Sequence, residues 1–313
     1  MRRTRPNNPA CLNFAKFHTP NHGSAFRGIL FAFFCLLFLT QMSHAQAAGV
    51  EWPQISVRLS ALLSGDPEQK RTALGEIRNL ETEEAARLAL PALRDADEIV
   101  RATAASAVVF LPETEARDAL LPLLGDRRPF VRREAAFALG KVGNWGASAQ
   151  LRRLLLSDRD PEVRSAAAIA LGGIGDPSAI GDLLAVLEKR LREEDEFLRR
   201  SAARAIGQTF ELHYTGQTEA VTPQNFLSPS FKKMRPAVTK NAPQVDLARV
   251  MATLTRVLRN SDEADDTRRA AAFALGAARQ PAAAAALRPF LNSPDPYLVE
   301  ICKEALIKIE NEE

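Results

Sequence analysis

The eighteen residues DPEVRSAAAIALGGIGDP at 160–177 restate, with substitutions, the segment RPFVRREAAFALGKVGNW at 128–145. Self-similarity at a short fixed period constrains a fold strongly, because each copy needs a neighbour of the same shape to bury its apolar side. With the basic residue of this segment as an anchor, equivalents stand at Lys70, Arg101, Arg132, Arg164, Arg199, Arg268 and Val299. The intervals are 31, 31, 32, 35, 69 and 31 residues, and 69 corresponds to one repeat plus an insertion of 35 to 40.

Two further columns support this register. Three residues after the anchors come Ala73, Ala104, Ala135, Ala167, Ala202, Ala271 and Cys302; seven after come Ile77, Val108, Leu139, Leu171, Ile206, Leu275 and Leu306. A small and a large aliphatic residue one helical turn apart define one buried stripe. Cys302 reads as a small core residue in the alanine column. Asp66-Pro67, Asp160-Pro161 and Asp295-Pro296 carry the residues of a helix start, an oxygen to cap free N–H groups and a proline that fits the first turn. Gly140, Gly143, Gly172 and Gly175 read as helix stops. Each unit is therefore expected to be two short helices. An outer one such as SAQLRRLLL at 148–156 precedes a tight turn, and an inner one begins near the anchor. The expected fold class is all-α, an α-solenoid of about seven stacked helix pairs following an N-terminal signal segment.

These residues resemble the HEAT repeat family, most closely its short bacterial HEAT-like, phycobilisome lyase-type repeats. The pattern D-x-x-V-R-x-x-A-A-x-A-L-G-x-I-G is met nearly in full at 160–175 and in part at 97–111 and around Arg268 and Ala271–Gly276, and the resemblance covers roughly 53–311. The repeat is shorter than that of longer HEAT units, Thr267 replaces valine in the sixth unit, and Val299 replaces arginine in the last, as suits a capping repeat. The resemblance implies a ladder in which turn aspartates and anchor arginines of neighbouring repeats pair: Asp97, Arg101, Asp126, Arg132, Asp160, Arg164, Asp195, Arg199, Asp262 and Arg268.

Residues 1–47 contain Arg2, Arg3, Arg5, Lys16 and Arg27 and no acid, then the apolar run ILFAFFCLLFL at 29–39. That run is too short to span a bilayer and suits the core of an export signal. Ala45-Gln46-Ala47 favours cleavage before Ala48. The basic region is long for a signal, so an uncleaved anchor and a transit peptide stay as alternatives. The expected destination is the periplasm or the exterior, with membrane contact only if the leader is retained. Removing the leader's five basic residues from the 41 Lys and Arg leaves 36 against 38 acids. A nearly neutral remainder does not support nucleic-acid binding. Cys11 and Cys35 lie in the leader, leaving Cys302 alone, so no internal disulfide is expected.

Catalytic chemistry has few candidates. His213 is the one histidine after the leader, too few for a multi-histidine metal site, and it has no nucleophile-elbow sequence near it. Gly172-Gly173-Ile174-Gly175 ends a helix, whereas a phosphate cradle opens one. No catalytic residue, metal or cofactor is expected. The insertion at 209–245, flanked by 48–208 and 246–313 of the repeat array, breaks the pattern with aromatic and basic residues. A loop of that length is either functional or a tolerated extension. Its Tyr214, Phe226, Phe231, Lys232, Lys233 and Arg235, with Arg133 and Glu134 of an inner helix, are the candidate contacts to another protein. The expected function is a non-catalytic exported scaffold or assembly factor. A lyase-like enzyme and a membrane-tethered adaptor are the competing classes.

Overall fold

The computed structural model describes residues 52–189, 195–217 and 243–310. The leader at 1–47, and Phe226, Phe231, Lys232, Lys233 and Arg235 of the insertion, lie outside the described residues. The chain divides into two compact units, Met1–Val57 and Arg58–Glu313. Residues 52–63 form helix α1, and the architecture below belongs to the second unit.

Among the described residues the helices fall into seven pairs and no strand occurs. The outer members after α1 are α3 (Glu83–Leu88), α5 (Glu113–Leu120), α7 (Ser148–Ser157), α9 (Ile180–Glu188), α11 (Leu247–Arg259) and α13 (Pro281–Leu287). The inner members are α2 (Pro67–Leu80), α4 (Glu98–Ala107), α6 (Pro129–Val142), α8 (Pro161–Ile174), α10 (Glu196–Thr215), α12 (Asp265–Ala277) and α14 (Pro296–Glu310). Successive inner helices pack on one another far more extensively than successive outer helices do. This is the α-solenoid expected from the repeat. Ala73, Ala104, Ala135, Ala167, Ala202, Ala271 and Cys302 are all 0% exposed, as are the aliphatic residues four positions on, apart from Leu306 in the last helix at 8%.

Proline decides the shape of the outer helices. Pro91, Pro122 and Pro289 stand where α3, α5 and α13 give way to 3-10 turns at Leu90–Arg94, Leu121–Gly125 and Arg288–Asn292. A proline removes an N–H and crowds the preceding turn, so the α-helix cannot run on through it. α7, α9 and α11 hold no proline and continue unbroken to the turn.

Two of the glycines read as stops have a different role. Gly143 and Gly175 do end α6 and α8, with φ of 78° and 72° in the left-handed region. Gly140 and Gly172 lie inside those helices. A Cβ on Gly140 would sit 2.7 Å from Ala170 Cα, and one on Gly172 would sit 2.7 Å from Ala205 Cα. The column continues through Gly207, whose Cβ would lie 3.0 Å from Ala274 Cα, and Gly276, 2.6 Å from Ala305 Cα. Four consecutive inner-helix contacts thus place a glycine of one repeat against an alanine backbone of the next.

The insertion starts later than its sequence suggests. α10 runs to Thr215 and is closed by Gly216 at φ 70°; residues 209–215 are therefore helical. α10 packs on α12 as closely as α8 packs on α10, so the stack keeps its order across the insertion.

Gly172→Ala is expected to lower stability by about 1–3 kcal/mol, the range for overfilling a packed contact. Gly75→Ala, in α2 with open space where the Cβ would go, is expected to raise it by about 0.5–1 kcal/mol through helix propensity. Urea titrations of the two variants beside the parent check both signs.

Candidate interaction surface

Each inner helix from α2 to α12 begins with a charged side chain that ties it to the next repeat. Arg101 donates from Nε and Nη2 to both carboxylate oxygens of Asp126, at 2.8 and 3.0 Å. Arg132 does the same to Asp158 at 2.8 Å each. Lys70 reaches Asp95 at 2.6 Å, Arg164 reaches Asp195 at 3.6 Å, and Arg199 pairs with Glu263 where both side chains are almost fully buried. The remaining donors of the arginines satisfy backbone carbonyls: Asp95 and Ala96 for Arg101, Asp126 for Arg132, Leu155 for Arg164, and Val186, Leu187 and Lys189 for Arg199. A planar group with five donors serves two partners at once, which a lysine cannot match.

The rungs differ in detail from the expected pairing. Asp97 and Asp160 cap their own helices, accepting from Ile99 and Val100 and from Glu162 and Val163. The acids two residues earlier, Asp95 and Asp158, take the neighbour's cation while also accepting the backbone N–H of Asp97 and Asp160. Asp126 holds that earlier position, before a helix whose cap residue, Arg128, offers no side-chain acceptor. Asp262 is exposed; Glu263, buried beside it, reaches Arg199. In the sixth repeat Arg269 makes the rung, bonding both oxygens of Asp295 at 2.8 and 3.0 Å, while Arg268 turns to Leu258 and Asp265. Ser293 occupies the earlier acid position there, so the carboxylate comes two residues later, from Asp295 before α14, and meets the adjacent arginine.

Burial alone would push the Asp126 carboxyl up, but the hydrogen bonds from Arg101 and from the Arg128 N–H outweigh it and hold the group below the usual aspartate range. Asp95, with Lys70, and Asp295, with Arg269, are lowered in the same way. A depressed folded-state pKa contributes stability that is complete above the unfolded value and is lost as pH falls through the folded one. The stability difference between the parent and Asp126→Asn is therefore expected to be about 1–3 kcal/mol near neutrality and to shrink from about pH 5 to about pH 3. Chemical denaturation across that range reads it.

Tyr214, expected at the surface, is buried. Its ring lies 4.6 Å under the Arg279 guanidinium, and Glu211, one helical turn earlier, binds Lys308 of α14 at 2.5 Å. The turn of α10 that the sequence left in a loop therefore clamps α14 across α12. His213 Nε2 is 3.2 Å from the Gly175 carbonyl oxygen, and the Trp145 indole N–H donates to Ile174 at 3.1 Å. The histidine thus helps close the end of α8. Cys302 is buried and its thiol is pushed up to about 12, by desolvation and then by Asp295, consistent with a core residue.

Arg133 and Glu134 lie on α6, 3.1 Å apart; Arg133 also pairs with Glu162 of α8 and covers the Phe130 ring at 5.0 Å. This arrangement recurs. Ile99, Phe130, Phe197 and Tyr297 are exposed apolar residues, each second in its inner helix. Arg200 covers Phe197 at 4.8 Å and Arg269 covers Tyr297 at 5.2 Å. In α8 and α12 the same position holds Glu162 and Asp266, which accept from Arg133 and Arg200. One column of the inner helices thus offers aromatic rings and acids to solvent, linked by arginines. Sequence reasoning picked out Arg133 and missed the rings, although their place beside each helix start was readable. Among the described residues no group of His, Cys, Asp and Glu is arranged to hold a metal, and no helix is long and apolar enough to cross a membrane.

The family model described as HEAT repeats matches residues 55–136, 118–207 and 150–222, and that described as PBS lyase HEAT-like repeat matches 267–293. The first spans more than half of the 313 residues, and the chain belongs to the HEAT repeat family. No curated protein sequence matches it. Among solved structures, the Escherichia coli protein YibA is 19% identical, with a TM-score of 0.51 and 87% of each chain covered. The CpcE–CpcF complex of phycocyanin lyase from Nostoc is 24% identical, with a TM-score of 0.39 over 73% of this chain and 88% of that one. Human deoxyhypusine hydroxylase is 19% identical, with a TM-score of 0.35 over 85% and 99%.

Proposed function

We propose that this protein is an exported, non-catalytic scaffold or assembly factor that binds another protein along its inner helices. The observation that carries this reading is the column of exposed apolar residues, Ile99, Phe130, Phe197 and Tyr297, repeated along the stack at one helix position. Exposed apolar side chains in register offer contact area, and the arginines over three of them supply polar rim contacts of the kind found at interfaces. Arg133 and Glu134 flank this column. Phe226, Phe231, Lys232, Lys233 and Arg235 are proposed as further contacts. The leader at 1–47 is proposed to direct export, with cleavage near Ala47-Ala48, and mass spectrometry of the mature N-terminus decides between that and a retained anchor.

In-cell crosslinking followed by identification of the attached proteins tests the scaffold reading. A reproducible partner is expected, with capture reduced at least about tenfold by combined Phe130→Ala and Phe197→Ala, a loss within the range for interface aromatics. No partner above background would refute it. Deleting 218–242, which starts beyond the end of α10, is expected to leave helicity and cooperative unfolding unchanged and to weaken capture. A lyase-like activity is the second reading, favoured by the PBS lyase HEAT-like match at 267–293. An absorbance change on mixing the mature protein with a bilin would support it.

A further inference from the structure

Arg204, on the inner helix α10, has no acid partner among the described residues. Phe197, Arg200 and Arg204 stand three and four residues apart on α10 and so share a face. Arg200 is committed, covering Phe197 and bonding Asp266 at 2.8 Å. Arg204 is exposed, and the structure gives it no ion pair or hydrogen bond among the described residues. The matching positions in α6 and in the two flanking helices, α8 and α12, carry Phe137, Ile169 and Phe273, so the charge stands between apolar residues of the neighbouring repeats.

The energetics of this arginine are unlike those of the rungs. Arg101, Arg132, Arg133 and Arg269 are all raised above the ordinary arginine value by acids that bond them. For Arg133 those acids outweigh its own desolvation, which is the largest single influence on it. Arg204 is lowered, first because the surrounding helices displace water that would hydrate its guanidinium, and second by Arg200. A guanidinium beside another cation and without an acid has no evident role in the fold, and the units on either side use an apolar residue at that position. Residues that break a local rule without compensation are where function is to be sought.

We propose that Arg204 receives a carboxylate side chain from an extended segment of the partner protein, with an adjoining aromatic or aliphatic residue of that segment laid against Phe197. This deepens the scaffold reading and rests on it. The chemistry favours a peptide carboxylate over a nucleic-acid backbone. Glu162 and Asp266 lie exposed at the equivalent helix starts on either side and would repel a row of phosphates, while a single carboxylate beside an apolar group meets the Arg204 guanidinium and the Phe197 ring, which stays partly exposed beneath Arg200. A charge-assisted, bidentate bond at a partly dehydrated site is the strong form of this contact.

The test uses the full mature chain and fluorescein-labelled peptides alternating Glu and Phe, with Gln–Phe and Lys–Phe counterparts, read by anisotropy. The parent is expected to prefer Glu–Phe to Gln–Phe by roughly tenfold or more, the worth of a hydrogen bond to a charged group. Arg204→Gln is expected to erase that preference while leaving the thermal midpoint equal or higher, and Arg204→Glu to transfer the preference to Lys–Phe. A midpoint lowered in both Arg204→Gln and Arg204→Met would mean the arginine is structural and would overturn the proposal, as would unchanged peptide preference in Arg204→Gln. Equal capture of a crosslinked partner by the parent and Arg204→Gln would overturn this site and leave the scaffold reading standing.

Discussion

The structure depends on how closely one inner helix can approach the next. At four successive contacts a glycine faces the backbone of an alanine in the following repeat, and at each a Cβ would fall within 3.0 Å of that alanine's Cα. Interiors packed at crystal-like density transmit such constraints rigidly. With the backbones nearly touching, the alanine stripe is buried from both sides, and the large aliphatic residues one turn further on fill what space remains. A solenoid built of small residues needs few aromatics in its core. Phe130, Phe197 and Tyr297 stand instead at helix starts, where solvent reaches them.

The charged rungs complete what packing begins. Glycine–alanine contacts set distance, but an apolar surface of near-identical side chains could slide by a turn. An arginine that bonds the carbonyls closing its own outer helix and a carboxylate in the next turn can do both only in one register. The Arg199–Glu263 pair is the most buried rung, and it joins the repeats on either side of the insertion, where the chain gives least help in keeping neighbours together. Glu211 and Lys308 add a second tie that skips a repeat. This frame lets the exposed column hold fixed spacing along the stack.

Most of the fold was legible because it is written seven times. The alanine and aliphatic columns, the caps at Asp66 and Asp160, and the helix ends at Gly143 and Gly175 follow from residue type and spacing. The misreadings share one cause. Gly140 and Gly143 are the same letter three residues apart, and only the neighbouring helix distinguishes close approach from a left-handed stop. Asp95 and Asp97, Arg268 and Arg269, and Asp262 and Glu263 are likewise interchangeable on paper, because either member of each pair fits the pattern. Tyr214 looked like part of a loop because the repeat signal ended before α10 did.

The sequence by itself determined that this chain is a stack of helix pairs and where each pair begins, since period, apolar stripe and capping residues are local properties repeated until chance is excluded. Tertiary structure decided which acid meets which base and which glycine is a point of close packing. Those outcomes depend on distances between repeats, and such distances exist only once one helix lies against another.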